Sequence, residues 1–205
     1  YTTLFRSAEH PATAIVLAAA RGERMRPLTD TCPKPLLEVR GKPLLQWHLE
    51  ALARGGCARA VVNTAWLGEQ IEQAFGAATP WGSRLVYSHE GRDFGGALET
   101  AGGIARALPQ LAYIFWVVAG DVFMPGFDFP RAAHDRFAAS DALAHLWLVP
   151  NPAHNPRGDF GLGAGGRALN AVSEGSPRWT FSTVALYRRA FFDSLPAGNP
   201  QGLKA

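Results

Sequence analysis

Short apolar runs bounded by Gly, Pro or Asn alternate along this chain with segments of helical periodicity. The apolar runs predict buried strands over residues 13–19, 58–63, 84–88, 113–121, 142–149 and 179–187. Amphipathic periodicity predicts helices over residues 43–54, 67–75, 98–109 and 131–139. This alternation is typical of βαβ units, so we predict an α/β fold with a mostly parallel central sheet. The most apolar run, 113–121, should lie at its centre.

Length and composition indicate one globular domain. The chain has 205 residues, of which 47% are hydrophobic and 18% charged, which is enough for one large core but not for two typical domains. We therefore assign residues 12–205 to a single domain. Residues 1–11 have no clear periodicity and do not begin with Met, and we expect them to be an extension outside the fold.

No stretch of the sequence approaches the roughly 18 continuous apolar residues that a membrane span needs, so no membrane association is expected. The two cysteines, Cys32 and Cys57, provide neither a disulfide framework nor metal-ligand spacing. A reducing compartment is the simpler interpretation, and we expect the protein in the cytoplasm.

The distribution of charge favours a small anionic ligand. The formal net charge is +3, but no run of Lys or Arg occurs, so a nucleic-acid partner is not expected. The basic residues crowd instead into one short region, at Arg21, Arg24, Arg26, Lys34, Arg40 and Lys42. Such a local concentration suits a compact anion better than a long polyanion.

Ligands of parallel α/β sheets bind beyond the carboxyl ends of the strands. The loop that follows the first predicted strand contains several residues suited to binding an anion. Its sequence, over residues 17–39, is LAAARGERMRPLTDTCPKPLLEV. Small residues and Gly22 allow a close approach of the backbone, while Arg24 and Lys34 supply positive charge about ten residues apart. The loop can hold a triphosphate; the alternative is a solvated basic loop between a strand and a helix.

Two further loops carry candidate groups at the same edge of the sheet. Residues 98–103 (LETAGG) open a predicted helix, where free amides favour phosphate and small residues let a flat base approach, unless Thr100 simply caps the helix. Asp121 follows the most apolar strand and is placed to hold Mg²⁺ against phosphate oxygens. Its alternative role is an ordinary turn at a strand end.

The segment 17–36 resembles the signature LAAGxGxRxxPLTxxxPKPL of the sugar-1-phosphate nucleotidyltransferases at nearly every fixed position. The resemblance implies a Rossmann-like three-layer sandwich of the nucleotide-diphospho-sugar transferase type, and an enzyme that joins a nucleoside triphosphate to a sugar 1-phosphate with Mg²⁺ and releases pyrophosphate. It implies that the catalytic residues are Arg24 and Lys34, which bind phosphates, and Asp121, which binds the metal. It implies nucleotide contacts from Leu17, Ala18, Ala19, Ala20, Gly22, Leu98, Thr100, Gly102, Gly103 and, as a weaker candidate for the base, Glu90.

Two departures from the family pattern bear on these roles. Ala20 stands where the family usually has Gly, which would strain the loop only if that position needs a positive φ. The family also has a second metal-binding Asp in a WxDxGT-like segment near its C-terminus, and the sequence ends at residue 205 without one. We therefore expect residues 12–205 to lack the C-terminal end of the domain, or this form to lack a metal ligand.

The sugar specificity is predicted from similarity to one branch of the family. Residues 151–162 (NPAHNPRGDFGL) resemble the sugar-facing loop of the N-acetylmuramate 1-phosphate uridylyltransferases of cell-wall recycling. By that resemblance UTP and N-acetylmuramic acid 1-phosphate are the substrates, and Asn151, His154 and Asp159 can hydrogen-bond sugar hydroxyls, although such residues also form turns. The strand 181–187 resembles the wall of the same pocket, with Thr183 where the family usually has Gly.

Other functions stay open at this point. Within enzymes, the alternatives are a mannose 1-phosphate guanylyltransferase and a glucose 1-phosphate thymidylyltransferase. From another class, the chain could be a non-catalytic sensor of nucleotide sugars. Residues 161–166 match the dinucleotide pattern GxGxxG but open no βαβ unit, so we predict a glycine-rich β turn there. His48 lies on an apolar helix stripe and is expected to be a packing residue.

Overall fold

The computed structural model describes residues 12–193; the predicted extension 1–11 and the last part of the predicted domain, 194–205, lie outside that range. The strands are β1 (Ala12–Leu17), β2 (Glu38–Val39), β3 (Lys42–Pro43), β4 (Cys57–Thr64), β5 (Arg84–His89), β6 (Ile114–Ala119), β7 (Ala144–Val149), β8 (Gly161–Leu162), β9 (Ala168–Leu169) and β10 (Thr180–Arg188). The helices are α1 (Leu44–Arg54), α2 (Gly68–Phe75), α3 (Glu90–Phe94), α4 (Glu99–Ala107) and α5 (Arg131–Ala138).

Six strands form the main sheet, in the order β5-β4-β1-β6-β10-β7. The pairs β1/β4, β4/β5 and β1/β6 are parallel, whereas β10 runs antiparallel to both β6 and β7. The predicted α/β fold with a mostly parallel sheet is confirmed. The most apolar strand, β6, lies between β1 and β10 in the interior of the sheet, as predicted.

Helices cover both faces of the sheet, which gives the three layers expected. On one face, the apolar stripe of α1 (Leu45, Leu49 and Leu52) packs with side chains of α2 and α5 against alternate residues of β1, β4 and β6. On the other face, Ile104 and Ala107 of α4 pack against the intervening residues of the same strands. Both faces are apolar, and so these strands read as continuous apolar runs in the sequence.

The short elements account for most of the differences from prediction. Helix α3 was not predicted, because five residues are too few to show a helical period. Residues 161–169 form a small hairpin of β8 and β9 around a glycine-rich turn, as predicted for the GxGxxG match. None of the helices in the described residues is long and apolar enough to cross a membrane.

Candidate active site

A cleft of about 450 Å³ opens at the carboxyl ends of β1, β4 and β6, where the predicted ligand loops converge. Its wall has three parts: the loop that follows β1, the start of α4, and the residues that end β4 and β6. The lining residues are Leu17, Ala19, Ala20, Arg21, Gly22, Glu23, Asn63, Glu90, Ala97, Glu99, Thr100, Ala119 and Asp121. The predicted edge of the sheet therefore holds the cleft.

Gly22 fixes the shape of the loop after β1. Its φ is +71°, a value that L side chains rarely adopt, and an ideal Cβ there would lie 3.0 Å from Lys34 Cβ and 3.1 Å from Thr29 Cγ2. The Thr29 hydroxyl donates a hydrogen bond to the carbonyl of Gly22 at 2.9 Å. The missing side chain at Gly22 thus lets the stem of Lys34 pack against the loop.

Lys34 and Asp121 meet at this loop although they lie 87 residues apart in the chain. Lys34 Nζ donates to Asp121 Oδ2 at 2.7 Å, and each side chain is 23% exposed. The chain folds this way because β1 and β6 are parallel neighbours, so the loops that follow them leave the sheet at the same edge. A mobile cation and a carboxylate are thereby held together beside the cleft.

Two aromatic side chains, Trp66 and His48, donate hydrogen bonds to backbone carbonyls of the loops that form the site. Trp66 Nε1–H donates to the carbonyl of Thr29 at 2.9 Å, and the guanidinium of Arg21 lies 4.0 Å from the centre of the Trp66 ring. His48 Nε2–H donates to the carbonyl of Val122 at 2.7 Å. His48 is thus more than the packing residue expected, because it holds the backbone next to Asp121. Burial lowers the pKa of His48, which keeps the ring neutral.

The start of α4 forms the opposite wall. Glu99 and Thr100 are exposed in the cleft, and Glu99 has a φ of +58°, which is unusual for a side chain other than Gly. Leu98 is the N-cap residue, and no side chain caps the helix, so the alternative role of Thr100 as a cap is not what the structure has. Among the described residues, no side chain therefore caps the first amides of α4, which belong to residues at the cleft.

Glu90 contributes to the lining of the cleft, but none of its surface is exposed to solvent. Its Oε1 accepts from Asn63 Nδ2 at 2.7 Å, and its Oε2 accepts from the backbone N–H of Leu98 at 2.8 Å. Burial raises the pKa of the Glu90 carboxyl, while the hydrogen bonds from Leu98 and Asn63 and the charge of Arg106 oppose that rise. Both oxygens of this carboxyl accept hydrogen bonds within the protein, and the base contact suggested for Glu90 from sequence stays a prediction.

The other predicted nucleotide residues divide into two groups. Leu17, Ala19, Ala20, Gly22 and Thr100 line the cleft. Ala18, Leu98, Gly102 and Gly103 are buried directly behind it. Ala20 is not among the described residues with positive φ, so its methyl group does not strain the loop.

The side chain of Arg24, one of the predicted catalytic residues, lies away from the cleft. It is exposed in a 3-10 turn, Glu23–Met25, and is not among the described residues that line the cleft. Its neighbour in the same turn, Glu23, does line it. A phosphate contact from Arg24 therefore stays a prediction that requires its side chain to turn inward.

The predicted sugar loop is held by its own side chains. Asn151 Nδ2 donates to the carbonyl of Arg178 at 3.1 Å, and Asn151 Oδ1 accepts from the Thr180 hydroxyl at 3.0 Å. Asp159 accepts from Asn155 Nδ2 at 3.0 Å and from the backbone N–H of Phe181 at 2.8 Å. Both side chains thus tie the loop to β10, and their contacts with a sugar stay a prediction.

Thr183 occupies a strained position in β10. The pairing of β10 with β7 is irregular between Phe181 and Ala185, and within this irregularity Thr183 has a φ of +70°. Its hydroxyl oxygen is buried and has no hydrogen-bond partner among the described residues. A β-branched residue in this conformation costs on the order of 1–3 kcal/mol, a strain that a Gly at this position would not have.

Replacement of Thr183 by Gly is expected to raise the free energy of unfolding by about 1 kcal/mol, because relief of the strain exceeds the extra entropy of Gly in the unfolded chain. Urea denaturation of the two proteins measures the difference. Thr180→Gly is the matched control: Thr180 lies in the same strand without positive φ and makes hydrogen bonds, so Gly should lower stability there. A loss of stability in Thr183→Gly as large as in the control would contradict the strain.

Several lining residues were not predicted from sequence. Arg21, Glu23, Asn63 and Glu99 all line the cleft, and Arg21 and Glu99 stand next to residues that were predicted. Asn63 carries the clearest signal: it is a buried polar side chain at the end of an apolar strand, the same position that drew attention to Asp121. Applying that test to every parallel strand would have found it.

Comparisons with known proteins agree with this geometry. Residues 13–166 match the family model described as nucleotidyl transferase. The chain is 50% identical to the N-acetylmuramate alpha-1-phosphate uridylyltransferase of Neisseria meningitidis serogroup B over 91% of this chain and 79% of that protein. It is 40% identical to the protein of the same name from Caulobacter vibrioides over 67% of this chain and 53% of that protein.

Among solved structures, HddC from Yersinia pseudotuberculosis, crystallised with GMP-PN, superposes with a TM-score of 0.67 at 18% identity, over 90% of this chain and 80% of that one. At this identity the likeness concerns the fold alone, and it agrees with the predicted Rossmann-like sandwich. The family match and the two relatives confirm the resemblance seen in residues 17–36. This chain belongs to the nucleotidyl transferase family.

Proposed function

We propose that the protein transfers a uridylyl group from UTP to N-acetylmuramic acid 1-phosphate and releases pyrophosphate. The observation that carries the proposal is the pairing of Lys34 with Asp121 beside a cleft that a glycine loop and a helix start enclose. A cation for phosphate and a carboxylate for a metal ion are the two groups that such a transfer needs. The choice of UTP and of this sugar rests on the names of the relatives from Neisseria and Caulobacter.

The reaction joins two anions and needs no proton to be removed. A phosphate oxygen of the sugar 1-phosphate attacks the α-phosphorus of UTP, a new O–P bond forms, and the bond to the β-phosphate oxygen breaks as pyrophosphate leaves in line. Because the attacking oxygen is already negative, neither a general base nor a covalent enzyme intermediate is required. The work of the protein is to hold the two substrates together and to neutralise the charge that repels them.

Lys34 and Arg24 have the roles that this chemistry requires of cations. Lys34 is assigned to the α-phosphate or the sugar phosphate, since its flexible stem can move its charge away from Asp121 when phosphate arrives. Arg24 is assigned to the leaving pyrophosphate, for which its planar fork is suited. The amides of the loop after β1 are assigned to the remaining phosphate oxygens. The start of α4, with its small residues, is assigned to the base.

Asp121 is the described residue that fits a divalent metal ion. Residues 12–193 contain no group of three or more His, Cys, Asp or Glu that could hold a metal ion on its own. Mg²⁺ does not need such a group, because it usually takes one or two carboxylates and completes its octahedron with phosphate oxygens and water. Mg²⁺ bound at Asp121 would neutralise phosphate charge in the transition state.

The substrate choice is tested with a panel of UTP, dTTP, GTP and CTP against N-acetylmuramic acid, glucose and mannose 1-phosphates, with Mg²⁺. Pyrophosphate release is expected to be fastest for UTP with N-acetylmuramic acid 1-phosphate, by at least about tenfold in kcat/KM over each other pair. A preference for GTP with mannose 1-phosphate or for dTTP with glucose 1-phosphate would overturn the substrate assignment. Binding of nucleotide sugars without pyrophosphate release from any pair would instead indicate a sensor.

We propose that the reaction takes place in the cytoplasm. Both substrates are small phosphorylated metabolites, and the described cysteines, Cys32 and Cys57, are free thiols. These features support a reducing, cytoplasmic compartment.

A further inference from the structure

Asn63 and Glu90 form a buried hydrogen-bonded bridge between the two walls of the cleft. The backbone N–H of Ala18 donates to Asn63 Oδ1 at 2.7 Å, and Asn63 Nδ2 donates to Glu90 Oε1 at 2.7 Å. Glu90 Oε2 accepts from the backbone N–H of Leu98 at 2.8 Å. One end of this chain of bonds is therefore in the loop after β1, and the other is at the N-cap of α4.

The bridge is buried at the floor of the cleft and closely packed. Asn63 is 3% exposed and Glu90 is 0% exposed. An ideal Cβ on Gly103 would lie 2.6 Å from Glu90 Oε1 and 2.7 Å from Asn63 Nδ2, so the backbone of α4 rests directly on the pair. A buried carboxylate is costly unless it is hydrogen-bonded, so this arrangement persists because each oxygen has its own donor.

The donors and acceptors of the bridge follow one fixed order, which is set by the two backbone N–H groups at its ends. Ala18 and Leu98 both present N–H donors, so the two ends of the bridge must both be acceptors. Asn63 supplies one acceptor and one donor, and Glu90 accepts at both oxygens. Replacing Glu90 by Gln leaves two donors facing each other, and replacing Asn63 by Asp brings together two carboxyl groups, which repel each other when both are ionised.

We propose that Asn63 and Glu90 are positioning residues that set the spacing between the triphosphate half and the base half of the nucleotide site. The proposal rests on the function proposed above, since that function assigns the phosphates to the loop after β1 and the base to the start of α4. One UTP molecule must contact both walls at once, so a rigid spacing lowers the cost of binding it. Glu90 thus acts on the nucleotide through Leu98 and Asn63 rather than by touching the base.

The test uses Glu90→Gln, Asn63→Asp and the double variant that carries both changes. In the double variant the new carboxylate at position 63 can accept both from Ala18 and from the new amide group at position 90, while the oxygen of that amide accepts from Leu98. Every bond is thereby restored, with reversed polarity in the middle of the bridge.

Each single variant is expected to raise the Kd of UTP at least about tenfold, and the double variant to return it to within about threefold of the wild type. Tripolyphosphate, which needs only one wall, should change less than about threefold in all variants. Isothermal titration of each protein with the two ligands measures these affinities.

Amide hydrogen exchange of the ligand-free proteins checks the bridge independently of the proposed function. The amides of Ala18 and Leu98 should be protected in the wild type, exchange faster at one or both sites in each single variant, and regain protection in the double variant. If the wild type fails to bind UTP while this exchange pattern holds, the proposed function fails and the bridge stands. If a single variant fails to fold, the double variant still decides, because only a polarity-dependent bridge predicts its recovery.

Three results would overturn the proposal. One is UTP affinity that is unchanged in Glu90→Gln. Another is an equal loss of UTP and tripolyphosphate affinity, which would indicate general damage to the loop. The last is a double variant whose affinity for UTP is as low as that of the single variants. If Glu90→Gln also altered the preference between UTP and CTP, the two results together would indicate direct contact of Glu90 with the base.

Discussion

Replacement of Lys34 by Ala is expected to lower the rate of pyrophosphate release at least about 100-fold, because the charge that neutralises the reacting phosphates is lost. The fold should be retained. The Lys34–Asp121 pair is partly exposed, and pairs of this kind contribute at most about 1 kcal/mol to stability. Steady-state assays of pyrophosphate release, together with thermal unfolding of both proteins, measure the two effects.

Lys42→Ala is the matched control for this experiment. Lys42 also makes a close ion pair, to Glu50 at 2.6 Å with a similar partial exposure, but Glu50 is not among the residues that line the cleft, whereas Asp121, the partner of Lys34, is. Its loss should change the rate by less than about threefold, as is usual for charges remote from the reaction. Near-normal activity in Lys34→Ala, or an equal loss in the two variants, would contradict the role given to Lys34.

Replacement of Asp121 by Ala is expected to reduce turnover by at least about 100-fold and to raise the Mg²⁺ concentration needed for half-maximal rate. The physical reason is that the carboxylate assigned to the metal ion is removed, while Lys34 is left without its partner. A titration of the rate against Mg²⁺ at saturating substrate measures both effects. The shift in metal requirement separates this variant from Lys34→Ala, which should leave that requirement nearly unchanged.

Asp128→Ala serves as its control, since Asp128 follows the same strand and pairs with Arg54 at 2.8 Å on the surface. That variant should keep its metal requirement and its rate within about threefold. If Asp121→Ala retained the metal dependence of the wild type, the assignment of Asp121 as a metal ligand would be wrong.

Most of the fold could be predicted because its strands and helices are long and strongly patterned. The run 113–121 predicted a central strand, and β6 (Ile114–Ala119) is one, with its carboxyl end at the cleft. Helix α3 could not be predicted, since its five residues depend on Glu90 being buried against Asn63 rather than on a periodic apolar face.

Individual residues of the site could be predicted, but the hydrogen bonds and ion pairs between them could not. The sequence indicated that Lys34 and Asp121 both belong to the carboxyl edge of the sheet, and they do, but their direct contact depends on how the loop after β1 packs around Gly22. The bridge through Asn63 and Glu90 was missed for a similar reason. It joins residues 27 positions apart, through the parallel register of β4 with β5 and the turn into α3.

The cleft is expected to transfer a nucleotidyl group to a sugar phosphate. The most direct measurement is the reaction of UTP with N-acetylmuramic acid 1-phosphate labelled with ¹⁸O in its phosphate, followed by mass analysis of both products. We expect one unlabelled pyrophosphate for each nucleotide sugar formed, with all of the label retained in the nucleotide sugar. Label in the pyrophosphate, or binding of both substrates without any product, would contradict nucleotidyl transfer to the sugar phosphate.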